Sequence, residues 1–241
     1  MSEPMVTQHL TPKREQHSSG AEPSLRQIAY DRIEELLNWG KVRPGQIISQ
    51  RELMEMADVT LGSVREAIPR FEAEGLLLTL PQRGLMVPSL DVTFIREAYQ
   101  MRRLIELGAV PDILARLDRS LVIEWIDWHR AAEGRLGQDD GADLAEFLRD
   151  FQLYDWDMHA QMVSVMENSL MANVYRVTAI KIRMAAQSRV RVTRQNATRV
   201  IKEHLAFLTP MLAGDADAAT RALSHHIDQS LTLALGGVIQ G

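Results

Sequence analysis

The longest regular feature of this 241-residue sequence is a helical pattern that begins at about Asp91 and continues almost to the C-terminus. Apolar residues recur there at the three- and four-residue spacing of one helix face, and no stretch alternates between apolar and polar residues as a half-buried strand would. Two polar breaks interrupt the pattern, at residues 134–141 and at residues 213–215. We therefore expect residues 90–241 to form an all-helical bundle of about six or seven helices.

The segment before the bundle has a different pattern. Residues 1–22 carry polar residues without an apolar period, which predicts a flexible tail. Apolar residues at helical spacing then predict a first helix over residues 24–38, which is followed by a turn at Pro44-Gly45.

Two further helices and a hairpin follow that turn. Ser49 and Glu52 have the spacing of a capping box at the start of a second helix, and Thr60 is a typical N-cap for a third. Apolar runs on both sides of residues 81–84 (PQRG) predict a β-hairpin. Three helices followed by a two-stranded wing describe a winged helix-turn-helix over residues 23–89, so the whole chain is predicted to be mainly α-helical.

The composition excludes several classes of protein. No apolar run approaches the roughly 18 residues of a membrane helix, and the first residues lack the apolar core of a signal peptide, so we expect a cytoplasmic protein with no membrane segment. The absence of cysteine excludes disulfides, thiolate metal sites and cysteine nucleophiles, so any metal ion must be bound by histidines and carboxylates. The net charge of -5 still leaves room for a compact basic face.

The predicted winged helix offers candidate DNA contacts. The second helix of such a motif enters the major groove, where arginine suits guanine or phosphate, and threonine, serine and a glycine amide suit phosphate oxygens. The candidates on this helix, on the helix before it and at the wing tip are Arg51, Thr60, Leu61, Gly62, Ser63, Arg65, Arg83 and Gly84. The alternative is that Arg51 and Arg65 only solvate helix faces.

Five segments of the same region form a recognisable pattern: PG at 44–45, SQREL at 49–53, VTLGSVREAI at 59–68, FEAEGL at 71–76 and RG at 83–84. This pattern resembles the DNA-binding domain of the GntR family. The resemblance implies a dimeric bacterial transcription regulator that binds a short palindromic operator and responds to a metabolite. The family usually has arginine where this sequence has Leu61, which implies an altered operator. Pro69 lies within the third predicted helix and predicts that this helix is kinked or shortened.

The bundle contains a candidate metal site. Asp155 and His159 lie four residues apart in a helical stretch, which places both side chains on one face. His204 and the adjacent His225 and His226 lie on two later helices joined by a tight turn. One carboxylate and three imidazoles suit Zn, Ni, Mn or Fe(II) and leave positions open for a ligand. Taken singly, each histidine is better explained by ordinary hydrogen bonding.

This pattern also resembles a known domain. Asp155-Trp-Asp-Met-His159, then Asn168, His204, Gly214-Asp215 and His226 are similar to the FCD ligand-binding domain of the FadR-type GntR regulators, over about residues 95–232. The resemblance implies a divalent metal ion on Asp155, His159, His204 and His226, and its spacing selects His226 over His225. A small organic-acid effector also requires cationic partners. The candidate effector-binding residues are Arg102, Asn168 and Arg183.

Two other functions fit parts of the sequence. A metal-dependent enzyme would need a base beside the metal, and Asp157 or Glu203 could be nominated, but catalysis does not explain the fused winged helix. An effector-independent regulator would use the bundle only for dimerisation. The sequence therefore favours a metabolite-responsive, homodimeric DNA-binding regulator that is not an enzyme.

Overall fold

A computed structural model describes residues 22–137 and 143–239 of the chain. The predicted flexible tail, apart from Glu22, lies outside the described residues. In chain order the elements are α1 (Leu25–Asn38), β1 (Ile47–Ile48), α2 (Gln50–Ala57), α3 (Leu61–Ala73), β2 (Leu78–Leu80), β3 (Gly84–Met86), α4 (Val92–Arg116), α5 (Arg119–Leu136), α6 (Asp143–Ser164), α7 (Ser169–Ala186), a 3-10 turn (Gln187–Val190), α8 (Arg194–Ala213) and α9 (Ala216–Ala234). The fold is mainly α-helical, as predicted, and no helix within the described ranges is both long and apolar enough to cross a membrane.

The N-terminal unit is a winged helix-turn-helix. The predicted capping box is present, because the Ser49 side chain accepts from the Glu52 amide and the Glu52 side chain accepts from the Ser49 amide. Thr60 likewise caps α3. The predicted hairpin of β2 and β3 is antiparallel, and β1 adds a third strand with the order β1-β3-β2. Strand β1 was not predicted from the sequence, because two residues are too few to show an alternating pattern. They form a strand only by pairing with β3.

The expectation that Pro69 shortens the third helix is wrong. Helix α3 continues through Pro69 to Ala73. The Pro69 ring lies on the exposed side of the helix, where the carbonyl group that loses its intrahelical partner can bind water instead.

The C-terminal unit is the predicted bundle, formed by α4 to α9. Its core includes Trp125, Met162 and Phe207, each almost completely buried. Gly214 ends α8 in the left-handed conformation with φ of 80°, which lets α9 start two residues later and pack along α8. The two units share a core, because Ile180 and Met184 of α7 are buried among the apolar residues of the winged helix.

Candidate metal and effector centre, and the DNA-binding face

Three buried histidines from three helices converge at the centre of the bundle. His159 of α6, His204 of α8 and His226 of α9 each offer a ring nitrogen, and these atoms lie within 4.8 Å of one another. Asp155, one turn before His159, directs its Oδ1 to 3.2 Å from Nε2 of His204 and 3.8 Å from Nε2 of His159. The structure therefore brings together the four residues that the sequence analysis nominated as metal ligands.

Carboxylates bind the outer nitrogens of two of these histidines. Nδ1 of His159 lies 2.9 Å from Glu106 Oε2, and Nδ1 of His226 lies 2.8 Å from Glu203 Oε2. Because each carboxylate accepts a hydrogen bond from Nδ1–H, the lone pair of a neutral imidazole lies on Nε2. This atom is on the opposite side of the ring and stays available to a ligand. Nη2 of Arg102, which can only donate, lies 3.5 Å from Nε2 of His159, and this fits the same tautomer.

Arginines hold both carboxylates in place. Nε of Arg102 donates to Glu106 at 2.5 Å, and Nη1 of Arg199 donates to Glu203 at 2.5 Å. Tyr175 also donates its hydroxyl proton to Glu106 at 2.9 Å. Burial would raise the pKa of Glu106, but Arg102 and the adjacent imidazole together lower it, so this carboxyl group is ionised at neutral pH.

The third histidine has a different outer partner. Nδ1 of His204 lies 2.7 Å from Nε2 of His129, and Nδ1 of His129 lies 2.6 Å from the Trp125 carbonyl oxygen. The Nε2 atom of His204 is buried and has no hydrogen-bond partner among the described residues, since its approach to Asp155 lacks hydrogen-bond alignment. Such an orphaned polar atom requires an explanation in a folded protein.

The electrostatics of the cluster favour neutral imidazoles at His204 and His226 beside an ionised Asp155. Burial lowers the pKa of His204 and lowers that of His226 well below its usual value. Burial would raise the pKa of Asp155, but the nearby imidazoles of His204, His159 and His226 lower it. Neutral imidazoles and an ionised carboxylate are the protonation states in which these side chains bind metal ions.

A cavity of about 70 Å³ adjoins the cluster and contains cationic groups. Arg102 and Arg183, both predicted to bind an effector, line it together with Asp155, His159 and His226. Unlike Arg102, Arg183 has no carboxylate at ion-pair distance in the described part of the chain.

Polar and aromatic neighbours hold Arg183 instead of a carboxylate. Its Nη1 donates to Asn38 Oδ1 at 3.2 Å, and its guanidinium lies 4.1 Å from the ring centroid of Trp156. Burial lowers the pKa of Arg183 to about 10, so it remains a cation at neutral pH.

Two sequence candidates lie away from this centre. Asn168 does not line the cavity; it is exposed before α7, and its Oδ1 accepts from the amides of Leu170 and Met171. His225 is exposed, whereas its neighbour His226 is buried in the cluster, in keeping with the choice made from the sequence.

The candidate DNA contacts gather at the N-terminus of α3 and at the wing. Three of them have structural roles: Thr60 caps α3, the Ser63 hydroxyl is buried and donates to the Thr60 carbonyl oxygen, and Gly84 has φ of 107° with a hypothetical Cβ only 2.6 Å from the Ile48 carbonyl oxygen. Thr60 is nevertheless exposed, Leu61 is half-buried, and the remaining candidates are exposed: Arg51, Gly62, Arg65 and Arg83. Nε of Arg65 donates to Gln50 Oε1 at 3.1 Å, which directs its guanidinium toward the preceding helix.

The sequence analysis missed three side chains of the centre. Glu106 carried no signal, because one glutamate on a long helix is indistinguishable from a solvated one. Glu203 was considered only as a catalytic base, whereas in the structure it accepts a hydrogen bond from Nδ1 of His226. His129 was not among the candidates. Its spacing from Trp125 places its Nδ1 near a carbonyl group one turn back, but no local pattern indicates His204 as its other partner.

Comparisons with known proteins agree with this architecture. The family model described as "Bacterial regulatory proteins, gntR family" matches residues 25–87, and the FCD domain model matches residues 97–229. The chain is 25% identical over 205 residues to the Nta operon transcriptional regulator of Aminobacter aminovorans, covering 82% of this chain and 90% of that protein. It is 24% identical over 191 residues to the HTH-type transcriptional repressor RspR of Escherichia coli K12, covering 78% and 79%. The solved structure of E. coli McbR/YncC shares the fold, with a TM-score of 0.74, 15% sequence identity, and coverage of 88% of this chain and 98% of that one.

The winged helix, the bundle and these relatives together define a DNA-binding transcription regulator rather than an enzyme. The FCD model alone covers more than half of the sequence. The chain belongs to the GntR family of bacterial regulators and carries an FCD domain.

Proposed function

We propose that this regulator responds to a metabolite: its winged helix binds a palindromic operator as part of a homodimer, and its bundle senses a small organic acid through a divalent metal ion. The observation that carries the proposal is the convergence of His159, His204, His226 and Asp155 beside a cavity lined by arginines. A regulator of this kind acts on chromosomal DNA, which in bacteria lies in the cytoplasm.

The donor set fits a divalent metal ion. Three imidazoles and one carboxylate are ligands that Zn, Ni, Mn and Fe(II) accept in proteins. The orphaned Nε2 of His204 supports this assignment, since a buried lone pair without a donor is costly unless a cation binds it. His159, His204, His226 and Asp155 would hold the ion. When bound, the ion supplies a Lewis acid that can accept an effector carboxylate.

The cavity favours a small anion as the effector. A volume of about 70 Å³ has room for only a few water molecules, so the cavity suits a short organic acid better than a nucleotide or a lipid. Arg183 lines this space and has no carboxylate partner among the residues the structure describes, so an effector carboxylate would provide a counterion. Arg102 is already paired with Glu106, so it would contribute positive charge to the cavity rather than a free pair of guanidinium N–H donors.

A thermal-shift screen tests the sensing step. Short carboxylic acids should raise the melting temperature of the Zn²⁺-loaded protein far more than that of the chelator-treated protein, because a ligand at 100 times its Kd stabilises by about 2.7 kcal/mol. Arg183→Met should lose this response while keeping its zinc content. An acid that stabilised the loaded, metal-free and Arg183→Met proteins equally would contradict the proposal.

The exposed arginines of the winged helix support the DNA-binding face. Arg65 lies on α3, which is the groove-entering helix of this motif, and Arg83 lies at the wing tip. We expect Arg65→Ala to weaken operator binding and to lower the salt slope by about one. Arg130→Ala is the matched control, since Arg130 is also exposed but lies on α5. Equal affinities of the two variants across a salt titration would contradict the assignment of α3.

An exposed apolar face supports the homodimer. Met101 and Leu104 of α4, and Leu170 and Val174 of α7, are 41%, 71%, 79% and 43% exposed, on two helices that pack against each other. A second copy of the chain is the occupant we propose, because a palindromic operator requires two winged helices related by symmetry.

Sedimentation of charged variants tests this face. Leu104→Glu should convert a dimer to a monomer, whereas Ile123→Glu, which changes a 45% exposed residue of α5, should not. A parent protein that sediments as a monomer, or two variants with equal behaviour, would contradict the proposed interface.

Helix α7 supports a route from effector to DNA. Tyr175 and Arg183 of this helix line the cavity, while Ile180 and Met184 belong to the core of the winged helix. Arg183 also donates to Asn38 at the end of α1. An effector that draws the Arg183 guanidinium toward its carboxylate would therefore act on a contact with the DNA-binding unit.

A further inference from the structure

His129 occupies an unusual place beside the proposed metal site. Its imidazole is completely buried, and its ring lies edge-on to Trp128 at 5.2 Å and to Phe151 at 6.0 Å between centroids. Its two nitrogens have one polar neighbour each, the Trp125 carbonyl oxygen and Nδ1 of His204. No carboxylate forms an ion pair with this ring within the residues described, in contrast to the rings of His159 and His226.

These two contacts fix the proton positions. A carbonyl oxygen only accepts, so the 2.6 Å contact with Trp125 requires the proton on Nδ1 of His129. With its proton on Nδ1 and no carboxylate paired with the ring among the described residues, His129 has its lone pair on Nε2, which accepts from Nδ1 of His204 at 2.7 Å. A neutral His204 with its proton on Nδ1 has its own lone pair on Nε2, the atom that faces Asp155 and the cluster.

We infer that His129 is the positioning residue of His204: a neutral imidazole, anchored on the Trp125 carbonyl group, that holds His204 in the tautomer and orientation able to bind a divalent metal ion. This inference rests on the metal site proposed above. Metal-binding histidines in proteins usually donate their outer N–H to a fixed acceptor, and loss of that acceptor typically costs about 10- to 100-fold in metal affinity. His159 and His226 use carboxylates for this purpose, and His204 uses His129.

The competing tautomer explains why an acceptor is required here. Without His129, Nδ1–H of His204 would be buried and unpaired, which is unfavourable. The ring can avoid this cost by moving its proton to Nε2 and turning that N–H toward Asp155 Oδ1, which lies 3.2 Å from the Nε2 atom. That proton would occupy the Nε2 lone pair and engage Asp155, so two proposed ligands would be withdrawn from the metal.

Zinc affinity of the full-length protein tests the inference. The chelator-treated protein is titrated with Zn²⁺ against a chromophoric competitor, for the parent, His129→Phe, His129→Gln and the packing control Phe151→Leu. His129→Phe should bind Zn²⁺ about 10- to 100-fold more weakly. His129→Gln should recover part of this loss, because its amide oxygen can accept from His204. Phe151→Leu, which disturbs the same aromatic packing but no polar contact, should keep parental affinity.

Nitrogen NMR of the metal-free proteins supplies a readout that packing alone would not change. The parent and Phe151→Leu should show His204 protonated on Nδ1, and His129→Phe should show it protonated on Nε2. His129→Phe with parental zinc affinity, or with the His204 proton still on Nδ1, would overturn the inference. A parent that binds no Zn²⁺ would instead refute the metal site itself, and with it the ligand-positioning role. If His129→Phe does not fold, His129→Gln decides the question. Parental zinc affinity of His129→Gln together with loss of the proton from Nδ1 of His204 would show that this tautomer does not matter for metal binding, and would overturn the inference.

Discussion

Arg176 of α7 forms the main polar contact between the bundle and the winged helix. Its Nη1 lies 2.5 Å from Glu34 Oε2 and 2.7 Å from the Tyr30 hydroxyl, and its Nη2 lies 2.5 Å from Glu74 Oε1. The Arg176 side chain is 29% exposed, and those of Glu34 and Glu74 are 19% and 10% exposed. Arg176→Met removes the charge and keeps the apolar stem. It leaves the partly buried Glu34 without its cation, whereas Glu74 keeps its ion pair with Arg70 at 3.2 Å.

The expected loss lies between that of surface and buried ion pairs. Exposed pairs contribute about 0–1 kcal/mol, and removal of one partner from a fully buried pair costs about 3–5 kcal/mol. Since nearly a third of the Arg176 side chain is exposed and screened by water, we expect Arg176→Met to lower the free energy of unfolding by about 2 kcal/mol. Urea denaturation followed by circular dichroism measures this change.

Arg130→Met is the matched control. Arg130 pairs with Asp127 at 3.7 Å, and both side chains are 66% exposed, so we expect a change below about 0.5 kcal/mol. If the two variants unfolded at the same urea concentration, the contact formed by Arg176 would contribute nothing and the reasoning from burial would be refuted.

Three further predictions concern separate parts of the molecule. Metal-free protein should lose about 2 kcal/mol of stability between pH 7 and pH 5 through His129. Burial lowers the pKa of this imidazole to about 3, so below about pH 6.5 the unfolded chain binds more protons than the folded one. Urea denaturation at the two pH values measures this loss, and equal stabilities would contradict it. Gly84→Ala should destabilise the wing by about 2 kcal/mol, because the new Cβ would clash with the Ile48 carbonyl oxygen and because φ of 107° is unfavourable for alanine. Gly134→Ala, with open space around it, should be neutral or slightly stabilising. Both are measured by thermal denaturation, and equal melting temperatures would show that the close approach is relieved without cost. Operator selection from random DNA should yield a half-site that differs from the usual GntR-family one at the base pair facing Leu61, which offers only apolar contact to a thymine methyl group; recovery of the usual half-site would count against this.

The helices could be predicted because their signals are local. The capping pair Ser49 and Glu52, the cap at Thr60 and the left-handed end of α8 at Gly214 each depend on residues within a few positions in the sequence. Strand β1 could not be predicted, because its two residues become a strand only by pairing with residues 85 and 86. For the same reason, the buried contact of α7 with the winged helix has no sequence signal.

The candidate site follows the same rule. Asp155 and His159 share a helix face at four-residue spacing, so their proximity is a local property. Glu106 and His129 come from other helices, and only the packing of the bundle brings them to the outer nitrogens of the cluster. Spacing therefore indicated Asp155 and His159, the resemblance to the FCD domain implied the full ligand set with His226, and the partners of the outer nitrogens required the structure.

Metal content is the most direct test of the proposed sensor. Full-length parent protein, stripped with a chelator and reloaded with Zn²⁺, should contain one ion per chain by elemental analysis after desalting. His204→Ala should retain none, because it removes the Nε2 atom at the centre of the cluster. His225→Ala, which changes the exposed neighbour of His226, should retain one. A parent that takes up no metal, or a His204→Ala protein with the same content as the parent, would contradict the account.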